Sequence, residues 1–293
     1  MSDATHAAPR LPTLNLVGAG RVAQTLASLW HQQGSFAVQD VLTTSLQSAQ
    51  AACNVIGAGH AVVRMEAMRS ADIWLVGVPD AQLVDCARAL AQVVAIAHTG
   101  ADGTTTPLVF HCSGAHSTAS LASLAAWGWQ VASAHCILSF ASVPSAIAQF
   151  PGTPCALEGD ATACATLRVA FSAIGARCFD VASRDKLLYH AAAVFATNFL
   201  PVLQATAEDL WRTTGVPADV IVHLRSALLR NAVANITALG PQAALTGPAA
   251  RGDTEAIARQ GAAVTAWDEP TGTAYEAMSV LALRLAQRRP DAG

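Results

Sequence analysis

At 293 residues the chain is long for one hydrophobic core, which stops growing at roughly 250 to 300 residues, so two domains are expected. Only 13% of residues are charged and 53% are hydrophobic, so much apolar surface must be covered inside domains or between subunits, and a homodimer is expected. A formal net charge of -3 without a basic stripe excludes nucleic acid as a partner and gives no hold on an anionic membrane.

The first residues, Met1 to Pro12, carry one Arg and no apolar stretch, unlike a secretory leader. The most apolar run, Leu187 to Leu203, is interrupted by His190, Thr197, Asn198 and Pro201, and reads as a buried helix rather than a bilayer span. A cytoplasmic protein is expected. The seven cysteines are odd in number and scattered, without a C-x-x-C pair, so they read as small buried hydrophobes rather than a disulfide framework or a metal ribbon.

Strand and helix signals then alternate in chain order. Strands are predicted at Leu14–Val17, Ala37–Leu42, Ile73–Val78, Leu108–Cys112, Gln130–His135, Cys155–Glu158 and Arg177–Asp180, with Ala-rich helical segments between them. Apolar runs of this kind suit strands buried on both faces of a mainly parallel sheet. Past Asp180 only helical signals remain, so the chain divides into an α/β Rossmann-type domain (1–181) and an all-α domain (182–293). In the second domain one helix runs from Ser183 to Thr214, with Pro201 expected to kink it beside Asn198, and another from Ala218 to Leu239. A Gly/Pro-rich loop from Thr246 to Asp253 precedes a short helix beginning at Thr254, and Thr273 with Glu276 forms a capping box that opens the last helix.

The run Val17-Gly18-Ala19-Gly20-Arg21-Val22-Ala23 leaves a strand and enters a helix as G-x-G-x-x-A. Gly18 permits a tight turn, Gly20 lets a pyrophosphate approach the backbone, and Ala23 lets helix and strand pack closely. The helix start then offers free N–H groups to the phosphates. Past the second strand stand Thr43, Thr44 and Ser45 where an NAD site usually has an acid; with Arg21 they can receive a 2′-phosphate, or they cap the next helix. NADP is therefore the expected cofactor, with NAD or F420 as alternatives. Val78-Pro79 and Ser113-Gly114 follow central strands and are expected to line the nicotinamide.

Several blocks together resemble one family: the glycine loop, Leu75 to Asp80, His111-Cys112-Ser113-Gly114, His135 through Phe140, Tyr189-His190-Ala191-Ala192 with Asn198-Phe199, and Leu245-Thr246-Gly247-Pro248 with Arg251-Gly252-Asp253. They resemble the Rossmann-like proteins that carry a C-terminal helical DUF2520 domain. That family is similar in outline to pyrroline-5-carboxylate reductases, 6-phosphogluconate and β-hydroxyacid dehydrogenases, and F420-dependent NADP oxidoreductases. The resemblance implies hydride transfer between a nicotinamide and a small carbonyl or imine, at a cleft between a cofactor domain and a dimer-forming helical domain. Cys136 stands where the family more often has Pro, and Lys186-x-x-x-His190 stands where β-hydroxyacid dehydrogenases have Lys-x-x-x-Asn.

At helical spacing Lys186, His190, Val194 and Thr197 share one face, with Asn198 close by, giving a polar strip in an apolar helix. His190, Lys186, Asn198, His135 and Ser113 are accordingly the candidate catalytic residues, His190 against the alternative of a satisfied core histidine, and Ser113 against a loop-stabilising turn. Thr246 and Arg251 are candidates for substrate, Arg251 by bidentate hold on a carboxylate or phosphate. His111-Cys112 and His135-Cys136 end neighbouring strands, but adjacent strand residues point to opposite faces, so no metal site is assigned. A non-catalytic nucleotide-binding regulator is the alternative to an enzyme.

Overall fold

The computed structural model describes residues 10–97 and 106–288. Eight strands form one sheet: β1 (Thr13–Val17), β2 (Ala37–Leu42), β3 (His60–Val62), β4 (Ile73–Val76), β5 (Leu108–His111), β6 (Gln130–Cys136), β7 (Pro154–Gly159) and β8 (Arg177–Asp180). Their order is β3-β2-β1-β4-β5-β6-β7-β8, parallel throughout except for the antiparallel β6–β7 pair. The sequence places every strand but β3, whose three residues are too short to carry a period and are held by pairing Asp40 to His60 through Leu42 to Val62 and by burial of Val62.

Six helices flank the sheet: α1 (Arg21–Gln33), α2 (Leu46–Ile56), α3 (Leu83–Ala97), α4 (Ala122–Ala125), α5 (Val143–Gln149) and α6 (Ala161–Ala173). Alternate strand residues divide between two cores. Leu14, Leu16, Leu75 and Phe110 pack against α1 and α6, where fully buried Trp30 meets Phe36, Phe110 and Phe171 edge-on at 5.2, 6.1 and 5.1 Å. The Trp30 indole N–H donates to the Ala170 carbonyl at 2.9 Å, so the ring is buried without an orphaned donor. On the opposite face Val17, Val76 and Val109 pack with Leu83 and Leu90 of α3, and Trp74 lies 5.5 Å from Trp129.

Three of the seven cysteines form a row across the sheet. Register sets Cys136 opposite Cys155 and Cys155 opposite Cys178, and the free thiols of this row hydrogen-bond to one another. Cys112 lies near the same row, and burial of its thiol pushes it up. Neutral thiols of this kind behave as small hydrophobes, as expected for buried Cys136 and Cys155.

After β8 the chain is helical: α7 (Lys186–Ala193), a π-turn at Val194–Asn198, α8 (Phe199–Thr213), α9 (Ala218–Ala243), α10 (Pro248–Arg251), α11 (Thr254–Trp267) and α12 (Glu269–Gln287). The chain divides into two compact units, Met1–Val194 and Phe195–Gly293, so α7 belongs with the sheet. The expected disruption near Asn198 takes the form of the π-turn, because Pro201 has no N–H for the carbonyl of Thr197. Gly240, at φ 78°, breaks α9 where the sequence ends it.

Two expectations fail. The apolar run is not buried: Leu187, Leu188 and Phe195 are 72%, 77% and 60% exposed, because only the face bearing Lys186, Tyr189 and His190 turns toward the sheet. The run Ser183–Thr213 is long and apolar enough to cross a membrane, and Lys186 and Tyr189 tie its first turns to β6. The last helix begins at Glu269, not at the Thr273 box: Asp268 accepts the Thr271 N–H at 2.9 Å, and Pro270 sits in the first turn.

Two loops meet backbone to backbone at the centre of the sheet. Gly18 adopts φ 84°, its N–H donating to the Leu42 carbonyl, while the Gly77 N–H donates to the Val17 carbonyl, both at 2.8 Å. A Cβ on Gly77 would stand 2.8 Å from the Gly18 carbonyl oxygen and 2.9 Å from the Ala23 Cβ. Gly77→Ala is therefore expected to destabilise the fold by about 1–3 kcal/mol, seen as a lower urea midpoint at unchanged slope. An unchanged midpoint would mean that the loops can separate freely.

Candidate functional site

The glycine loop and the loops after β4 and β5 enclose a cavity of about 640 Å³ at the carboxyl edge of the sheet. Gly20, Arg21 and Val22 line one side, and Val78, Pro79 and Ser113 line the other. Gly18 and Ala19 lie beneath as the turn that brings β1 to α1. Gly20 is the N-cap of α1 and carries no side-chain cap, so the N–H groups of the first turn stay free for an anion. Arg21 directs one guanidinium N–H to the Ala141 carbonyl at 2.8 Å, which fastens the loop after β6 to the cavity rim.

At the end of β2 the structure decides the role of the one nearby acid. Asp40 is fully buried, and accepts the Arg69 backbone N–H at 2.7 Å and its guanidinium at 2.6 Å. It therefore cannot reach a ribose hydroxyl. Past the strand end, Ser45 caps α2 by accepting the Ser48 N–H at 3.2 Å, and the Thr43 hydroxyl meets that of Ser48 at 2.6 Å. Thr43, Thr44 and Ser45 stand outside the lining of the main cavity.

A polar network continues from the cavity into the sheet. His111 Nδ1 accepts the Ser113 N–H at 3.1 Å, which leaves its proton on Nε2, directed at the Ser117 carbonyl. The Ser113 hydroxyl donates to Asp80 at 2.7 Å and accepts the His116 N–H at 3.1 Å, so Ser113 is held on every side and fixes the loop. The Ser113 carbonyl accepts from Lys186 Nζ at 3.0 Å, and the ammonium also donates to the Ser133 hydroxyl and lies 3.9 Å from Glu158. Glu158 in turn accepts from the Thr118 N–H and the Ser183 hydroxyl at 3.0 and 2.6 Å. Lys186 is 3% exposed; burial pushes its ammonium down from the usual lysine range and Glu158 opposes that.

One helical turn on, Tyr189 and His190 reach the same edge. The Tyr189 hydroxyl lies 2.8 Å from His135 Nδ1, and the His135 and His190 rings meet edge-on at 5.9 Å. Both imidazoles press on Gly114: a Cβ there would stand 2.6 Å from His190 Nδ1 and 2.8 Å from His135 Nε2. His190 Nδ1 is buried without a hydrogen-bond partner among the described residues, an atom that a ligand could satisfy. Five of the predicted residues, Ser113, Gly114, His135, Lys186 and His190, thus come together. Tyr189, Asp80 and Glu158 complete the group; none was a predicted site residue, although Tyr189 and Asp80 stand in the motif blocks.

The family model of the Rossmann-like domain matches residues 2–136, and that of the domain of unknown function DUF2520 matches residues 153–281. The chain joins a Rossmann-like domain to a DUF2520 domain. No curated protein matches this Rossmann-like DUF2520 protein in sequence. A solved protein from Thermotoga maritima superposes with a TM-score of 0.71 at 22% identity, over 94% of this chain and 98% of that one. An imine reductase from Myxococcus stipitatus in complex with NADP+ follows at 0.61 and 18%, over 93% of each chain. A pyrroline-5-carboxylate reductase from Coxiella burnetii gives 0.55 and 14%, over 95% of this chain and 100% of that one. At these identities the likeness establishes the shared fold.

The remaining candidates lie in the second unit of the Rossmann-like DUF2520 protein. Asn198 is exposed and accepts the Thr197 hydroxyl at 2.9 Å. Thr246 lines a cavity of about 260 Å³ with Tyr275 and Met278. Arg251 ends α10, exposed, and Asp253 instead caps α11 through the Ala256 N–H at 3.0 Å.

His111 and His135 are both pushed down to about 4, chiefly by burial and further by neighbouring positive groups. Unfolded imidazoles take up protons near 6.5 that the folded ones refuse, so this contribution to stability is whole above about pH 6.5 and is lost as the pH falls toward 4. Scanning calorimetry between pH 7 and 4.5 is expected to show a falling Tm, with a shallower fall in His111→Asn. A variant with the same slope as the wild type would contradict the assignment.

Proposed function

We propose that this protein is an NADP-dependent reductase of a small carbonyl or imine. The observation that carries the reading is the uncapped start of α1 at a 640 Å³ cavity, together with the one acid of β2, Asp40, being buried against Arg69. A nicotinamide dinucleotide fits the residues present: the first-turn N–H groups of α1 hold the pyrophosphate, and Val78 and Pro79 flank the ring. The hydroxyls of Thr43, Thr44 and Ser45, without a competing carboxylate, receive a 2′-phosphate. When bound, the nicotinamide supplies the hydride. Ser113 lines the cavity, His135 and His190, which meet at Gly114, are the groups assigned to the reacting end of the substrate, and Thr246 and Arg251 are the substrate-recognition candidates of the second unit. The imine reductase with NADP+ supports the cofactor by likeness of fold.

A non-catalytic nucleotide-binding protein is the second reading, favoured by the internal commitment of Ser113 and Lys186. Titration calorimetry with NADPH and NADH, followed by turnover on a panel of carbonyls and imines, separates the two. NADPH is expected to bind at least about tenfold more tightly, a difference of about 1.4 kcal/mol. Tighter binding of NADH would sink the 2′-phosphate argument, binding without turnover would favour the second reading, and binding of neither would point to F420.

We further infer a homodimer through the helices from α7 onward. Leu188, Phe195, Val202, Ile236 and Leu239 are each at least half exposed, at 77%, 60%, 59%, 50% and 60%, and a second copy would cover them. Light scattering at micromolar concentration is expected to give twice the chain mass; a monomer would refute the interface.

A further inference from the structure

We propose that Tyr189 fixes His135 in its Nε2–H form, and so makes His135 the group that donates a proton to the carbonyl oxygen or imine nitrogen of the substrate. The inference rests on the reductase reading and adds to it a named donor and the residue that positions it.

The Tyr189 hydroxyl and His135 Nδ1 are 2.8 Å apart, and the two rings cross edge-on at 5.6 Å. Burial pushes the phenol up to about 12, with Cys155 and Cys136 adding to the shift, so it keeps its proton at physiological pH and has one to donate to Nδ1. A neutral imidazole that accepts at Nδ1 carries its single proton on Nε2. Burial keeps His135 neutral; His190 and Lys186 beside it act in the same direction, and Asp80 opposes them. Nε2 has no hydrogen-bond partner among the described residues and lies against Gly114, where a Cβ would stand only 2.8 Å away, and the His135 side chain is partly exposed.

The competing donors are committed elsewhere. Lys186 directs its ammonium at the Ser113 carbonyl, Ser133 and Glu158, and the Ser113 hydroxyl donates to Asp80. A neutral imidazole would become a strongly basic anion if it gave up Nε2–H alone. Tyr189 removes that difficulty. As the Nε2 proton passes to the substrate heteroatom, the phenolic proton crosses to Nδ1, and the resulting phenolate takes a proton from water. One proton leaves Tyr189 and one reaches the substrate, while His135 ends neutral in its other form. An alkoxide or amide anion is a stronger base than a phenolate, so the transfer runs toward the substrate.

The test uses the full-length protein with 15N-labelled histidine. In long-range 1H–15N spectra at pH 7, His135 is expected to show an unprotonated Nδ1 and a protonated Nε2, and Tyr189→Phe is expected to shift it toward a mixture of the two forms. A wild-type His135 protonated on Nδ1, or an unchanged signature in Tyr189→Phe, overturns the proposal. On the best substrate of the panel, Tyr189→Phe and His135→Gln are each expected to lower kcat by roughly a hundredfold while KM moves less than about threefold. A changed tautomer with an unchanged kcat overturns the donor role. Calorimetry with NADPH keeps the two readings apart: binding by wild type and variants alike leaves the relay as the quantity measured. Failure of the wild type to bind overturns the reductase reading and the donor role with it, while the spectra still decide whether Tyr189 holds His135.

Discussion

A single buried ammonium group organises the carboxyl edge of this sheet. Lys186 Nζ touches the carbonyl of the loop after β5, a hydroxyl of β6 and the carboxylate of β7, and its own backbone starts α7. Burying such a charge is costly, and a buried pair is a weak source of stability compared with well-packed apolar groups. Its return is positional. With Lys186 fixed, Tyr189 and His190 arrive one turn later at His135 and Gly114, and Ser113 cannot move without taking one acceptor from the ammonium. Removing one partner of such a pair typically costs about 3–5 kcal/mol, so the geometry is held stiffly.

The other half of the edge is built from backbone alone. Gly18, Gly77 and Ala23 approach more closely than any larger side chains would permit, which draws the start of α1 over the centre of the sheet. The uncapped N–H groups of that helix then face the same cavity that Ser113 walls from the other side. Asp40 and Arg69 neutralise each other below this level, which leaves hydroxyls alone at the end of β2. The uncapped helix start and the two clustered histidines thus stand on separate elements.

Reversal of the last two strands has a further effect. β7 and β8 run against the other six, so β8 ends level with Leu157 and hence with Ala134, just past the end of β5 at His111. A chain leaving β8 there emerges beside the candidate site, although a wholly parallel sheet would have suggested the same exit for another reason. The overhang of β6 beyond β5 brings His135 into the group.

By itself, the sequence determined the α/β order, the strands long enough to show an apolar run, the glycine loop and its helix, and the change to all-helical structure after Asp180. These are local patterns, set by side-chain period and by backbone freedom at particular glycines. It could not reveal β3, held by its partner strand and by tertiary burial of Val62, nor that Asp268 would outcompete Thr273 as a cap. The exposure of Leu187 and Leu188 was equally illegible, because composition reports how apolar a helix is and not what covers it. Tertiary structure alone gathered Cys136, Cys155 and Cys178 into a row, committed Lys186 and Ser113 to internal partners, and set Tyr189 against His135. Those relations join residues far apart in the chain, and the register of neighbouring strands, which no single segment encodes, fixes which of them meet.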